Sequence, residues 1–77
     1  MNKVRRSQVE ALKAKLEDLR DNLEEIMEEE AEAMENIPES LHNSERYESM
    51  EEAFGNLENA FASIEDAVEW LSEVTAV

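Results

Sequence analysis

The residues best equipped for chemistry lie together, between positions 42 and 48. His42, Asn43, Ser44, Arg46, Tyr47 and Glu48 bring an imidazole, an amide, a hydroxyl, a guanidinium, a phenol and a carboxylate into one short stretch. Arg46 is the one base among residues 21–77, which hold 18 acids. Two readings fit. In the first, Arg46, Ser44 and the free N–H groups at a helix start hold a phosphate, with Tyr47 stacked on a base. An oligomer would then sequester a small anionic nucleotide signal where the turns of two chains meet, around His42, Ser44, Arg46 and Tyr47. In the second, the stretch is structural: Arg46 pairs with Glu35, Glu39 or an acid of another chain, Tyr47 begins an apolar seam, and His42 is an exposed turn residue. The negative field around the stretch opposes the first reading.

Other chemistries lack their residues. The chain has no cysteine and one histidine, so thiolate zinc sites, disulfides and a multi-histidine metal site within one chain are excluded. No catalytic triad, glycine-rich phosphate loop, HExxH or EF-hand pattern can be written from it. The expectation is a protein that is not an enzyme and needs no cofactor or metal.

Charge is the stronger signal. The net charge is −14, from 21 acids and seven bases. Residues 1–20 hold six bases and three acids, a local +3; residues 21–77 hold one base and 18 acids, a local −17. Such a field repels nucleic acid and anionic membrane and attracts basic surfaces. Glu24, Glu25, Glu28, Glu29, Glu32 and Glu35, which lack bases three or four residues further along the chain, form a candidate acidic binding face or a plain solvated one. No apolar run is long enough to span a bilayer, and the basic N-terminus lacks the apolar core of a signal peptide, which points to the cytosol.

The elements that position these groups are helical. Between Tyr47 and Leu71 the large apolar residues Tyr47, Met50, Phe54, Leu57, Phe61, Ile64, Val68 and Leu71 alternate three and four apart, one stripe of a helix running from about 44 to 74. Ala53, Ala60 and Ala67 form a thin row beside it, and Gly55 in mid-helix marks either close passage of another helix or a bend, the neighbouring alanines favouring close passage. Trp70 lies off the seam, placed to pack on the first helix's N-terminal turn or on a partner chain. A first helix spans about 3–35, with Ser7 and Glu10 as a capping box. Its seam reads Val9, Leu12, Leu16, Leu19, Leu23 and Ile26. Strict continuation brings Glu30 onto the seam; a four-residue skip through Met27, Ala31 and Met34 leaves it on the flank and is preferred, because a buried carboxylate is costly. Residues 36–43 form the turn, with Asn36 as a left-handed cap, Pro38 ending the helix, and Pro-Glu-Ser-Leu fit for one helical turn.

A short connection makes the helices antiparallel neighbours. The expected fold is all-α: one domain, 1–77, a two-helix antiparallel hairpin that dimerises into a four-helix bundle through Ala53, Phe54, Ala60, Phe61 and Ala67. Folding places Lys3, Arg5, Arg6, Lys13, Lys15 and Arg20 along Glu65, Asp66, Glu69 and Glu73, where ion pairs would set the register.

The opening MNKVRR, the glutamate-rich first helix, Asn-Ile-Pro-Glu-Ser-Leu, Ser-Glu-Arg-Tyr and an acidic Ala/Leu/Ile-rich second helix resemble a group of small acidic helical-hairpin proteins from phages and mobile elements of Gram-positive bacteria. The resemblance covers nearly the whole chain, is distinctive at residues 36–47, and implies a phage or prophage origin; it transfers no activity and no site residue. The expected function is a non-enzymatic antagonist that binds a basic surface of a host defence or nucleic-acid-binding protein in the manner of a DNA mimic. The nucleotide binder at Arg46 and a structural or assembly spacer are its alternatives.

Overall fold

A computed structural model describes residues 1–76. It contains two α-helices, α1 (Lys3–Glu35) and α2 (Glu45–Thr75), joined through a single 3-10 turn, Glu39–Leu41. The helices pack against each other, and there is no strand among the described residues. The hairpin measures 59 × 15 × 14 Å, with a radius of gyration of 17.5 Å. A compact chain of this length has a radius of gyration of about 11.5 Å, so this is a rod. No helix among the described residues is long and apolar enough to cross a membrane.

Local chemistry sets the helix ends. α1 starts earlier than the Ser7–Glu10 capping box implied: the Asn2 side chain accepts a 2.8 Å hydrogen bond from the Arg5 N–H and is the cap. At the other end Asn36 stays right-handed, φ −78°, instead of adopting the expected left-handed conformation. Its N–H donates to the Glu32 carbonyl, and the Ile37 N–H donates to that of Met34. Pro38, extended at ψ 141°, then turns the chain. The Leu41 and His42 N–H groups close the 3-10 turn on the Pro38 and Glu39 carbonyls. Ser44 caps α2, its hydroxyl accepting from the Tyr47 N–H at 3.2 Å.

The α2 seam is as expected: Tyr47, Met50, Phe54, Leu57, Phe61, Ile64 and Leu71 are half-buried and Val68 is buried. The α1 seam differs. Its inner row is Arg6, Val9, Lys13, Leu16, Arg20, Leu23, Met27, Glu30 and Met34, all half-buried. Leu12, Leu19 and Ile26, expected on the seam, are 54%, 56% and 53% exposed. α1 carries two apolar rows, and one partner helix covers only one. The row that continues into Met27, Met34 and Ile37 is the one covered. The residues of the four-residue skip, Met27, Ala31 and Met34, are all half-buried, and Ala33 of the strict continuation is exposed, but Glu30 is half-buried as well and does not stay out on the flank. Lys13 and Arg20 fit at the edge because their alkyl stems can pack while their charged heads extend outward, whereas the Nε of Arg6 is itself buried.

Of the six bases expected to pair with α2, five make no interhelical ion pair among the described residues. Arg20 bonds the neighbouring Asp21 at 3.3 Å, within α1. Lys3, Arg5, Lys13 and Lys15 make no ion pair among the described residues. Gly55 is likewise not a point of close passage, since a Cβ added there meets nothing within 4 Å. Trp70 does not pack on α1; it is 71% exposed.

Candidate functional site

The turn residues are held chiefly by one another. His42 stacks on Tyr47, ring centroids 4.3 Å apart and planes 12° from parallel. Its Nε2 lies 3.1 Å from the Ile37 carbonyl, so Nε2 donates and carries the proton. His42 is thus half-buried and not the exposed turn residue that the structural reading assumed. The Ser44 hydroxyl is engaged in capping α2. Arg46 is exposed and, among the described residues, pairs with neither Glu35 nor Glu39.

The four candidate contacts divide into two pairs. His42 and Tyr47 line one depression with Ala31, Met34, Glu35 and Phe54. Ser44 and Arg46 line another with Asn36, Ile37, Pro38 and Leu41. One face of the Tyr47 ring is occupied by His42, and Glu45 and Glu48 sit in the first turn of α2, where an anion would have to approach.

The acidic side chains are arranged around α1. Glu24, Glu25, Glu28, Glu29, Glu32 and Glu35 are all exposed. Glu24 and Glu28 line a depression whose other walls are Met27, Ala31, Phe54 and Phe61. It adjoins the His42–Tyr47 depression, with which it shares Ala31 and Phe54. Together they form one groove of about 450 and 340 Å³ along the turn half of the hairpin, with Met27, Met34, Phe54 and Phe61 as its apolar walls and Glu24, Glu28 and Glu35 beside them. Helical spacing turns Glu25 and Glu32 directly outward and Glu29 toward the opposite flank, so the six glutamates do not share one face.

A second pattern was legible in the spacing but not read from it. Glu10, Glu17 and Glu24 on α1, and Glu51, Glu58 and Glu65 on α2, each repeat every seven residues. They occupy the flank on the groove side of the seam. The opposite flank is formed by Leu12, Leu19 and Ile26 with Ala53, Ala60 and Ala67. Phe54 and Phe61, grouped with these alanines as a candidate interface, open instead into the groove by Glu24 and Glu28. The two rows lie on opposite sides of the seam.

Among the described residues no group of three or more His, Asp or Glu side chains converges in a way that could hold a metal ion. No protein-family model matches this chain, and neither the curated proteins nor the solved structures contain a match.

Proposed function

We propose that the protein is a non-enzymatic binding module that works as a homodimeric four-helix bundle and uses its acidic groove side to hold a basic, amphipathic surface of another protein. The groove carries this reading. Met27, Met34, Phe54 and Phe61 offer apolar contact to a partner's hydrophobic side chains, while Glu24, Glu28 and Glu35 stand where that partner's lysines or arginines would lie. Excess negative charge alone would attract any cation; an apolar floor beside glutamates selects a partner with both properties. The phage resemblance makes the target a host protein that handles nucleic acid or defence, blocked in the cytosol by occupation of its basic surface. The protein itself contacts neither nucleic acid nor membrane in this reading.

Affinity capture from a Gram-positive bacterial lysate tests it. Basic proteins should be recovered at low salt and at least tenfold less at 0.5 M salt, where the Debye length falls to about 4 Å. A chain carrying Glu24→Gln, Glu28→Gln and Glu35→Gln should lose the same proteins. Capture indifferent both to salt and to these substitutions would overturn the proposal.

A further inference from the structure

Leu12, Leu19 and Ile26 form an exposed row on α1, seven residues apart. In an antiparallel pair this flank lies beside the α2 flank of Ala53, Ala60 and Ala67. We infer that this face, on the side of the seam away from the glutamates, is where a second copy docks, and that the two hairpins lie antiparallel, each turn beside the other's open end. The inference rests on the homodimer proposed above and specifies its face and polarity.

Area argues for a second copy. The hairpin exposes 5974 Å². A compact monomer of 8.9 kDa exposes about 4,800 Å². The excess, about 1,200 Å², is somewhat more than the roughly 800 Å² that each partner contributes to a standard stable interface. A two-helix layer with one buried residue among those described, Val68, has the surface deficit that a second identical layer would remove.

Charge selects the face. Around the leucine row the flanking side chains Gln8, Asn22, Asn56 and Ser63 are neutral and Lys15 and Glu29 are of opposite sign, whereas the opposite flank carries six glutamates. Stacking two glutamate flanks would bring twelve carboxylates together; stacking two leucine flanks leaves them facing solvent.

Charge also selects the polarity. The turn half, residues 21–61, holds 14 acids and one base, a local −13; the open half, residues 1–20 and 62–77, holds seven acids and six bases, a local −1. Parallel hairpins would place the two −13 halves side by side. Antiparallel hairpins separate them and set each beside a nearly neutral half. On the docking face itself, Arg5 and Lys15 lie toward the open end and Glu29 toward the turn, so antiparallel copies bring opposite charges together. In this arrangement α1 lies over α1 of the other copy, with Leu19 near the twofold axis and Leu12 facing the partner's Ile26.

The chain has no cysteine, so disulfide trapping is clean. Leu19 is exposed, and Leu19→Cys leaves the seam untouched. Under mild oxidation at micromolar concentration this variant should form a covalent dimer at least tenfold faster than Glu58→Cys, which sits on the glutamate flank. Light scattering on the unmodified chain runs alongside. A dimeric mass with Leu19→Cys no faster than Glu58→Cys overturns this face and polarity while leaving the homodimer standing. A monomeric mass overturns both.

Discussion

α1 and α2 press against each other along one seam, yet they supply it very differently. α2 contributes eight apolar side chains in unbroken alternation, Tyr47 to Leu71, among them Val68, the one buried residue of those described. α1 contributes Val9, Leu16, Leu23, Met27 and Met34, interrupted by Arg6, Lys13, Arg20 and Glu30, and leaves Leu12, Leu19 and Ile26 outside. A helix meant only to cover α2 would have no use for that outer row. The difference is that α2 turns its one wide apolar row to α1, while α1 turns one of its two apolar rows to α2 and leaves the other exposed.

The largest effect should come from the intolerant helix. Val68→Asp would set a carboxylate in the one position that is buried among the described residues. Stripping a carboxylate of its water costs several kcal/mol even if an inner-row base such as Lys13 turns toward it, comparable with the ~4–12 kcal/mol total stability expected of a chain this size. Circular dichroism at 222 nm should show most helicity lost at 25 °C. Retention of a cooperative, native-like melt would mean that α2's seam is less demanding than its composition indicates, and the contrast between the helices would fail.

The tolerant helix should behave in the opposite way. Lys13 is half-buried on the inner row and makes no ion pair among the described residues. Lys13→Leu replaces an ammonium whose stem already packs with a wholly apolar side chain, and half-burial of leucine is worth about 1–1.5 kcal/mol. At equal protein concentration, which a dimer requires, the melting temperature should rise by roughly 4–8 °C per kcal/mol. A fall in stability would show that the basic residues of α1 hold the register through the field of the neighbouring glutamates.

The same contrast explains how much could be read from residue order. The approximate helix bounds, the proline turn and the whole α2 seam follow from local rules, because α2 has only one wide apolar row. Residue order does not tell which side of α1 faces inward, because its two apolar rows, Val9–Leu16–Leu23 and Leu12–Leu19–Ile26, are equally regular. Which row faces inward depends on the continuation through Met27, Met34 and Ile37, and so on tertiary packing. Two antiparallel flanks come together only once the inner rows of both helices are known, so the Phe54 and Phe61 pair was grouped with alanines from which the seam divides it. At the turn, composition marked His42 and Tyr47, but their stacking depends on the 3-10 turn that brings the rings to 4.3 Å.

The smallest expected effect tests the side assignment itself. Gly55 lies in the middle of α2, one turn from both Glu51 and Glu58, and a Cβ there would meet nothing within 4 Å. Within one hairpin glycine gains nothing over alanine, while its backbone freedom costs the helix about 0.8–1 kcal/mol. Gly55→Ala should therefore raise the melting temperature by a few degrees, by less than Lys13→Leu, and leave the dimer's mass unchanged. The gain holds only if the second copy sits on the Leu19 side, away from Gly55. A variant that is destabilised, or becomes monomeric, would mean that another backbone passes close to Gly55, and would move the contact between copies to the glutamate side.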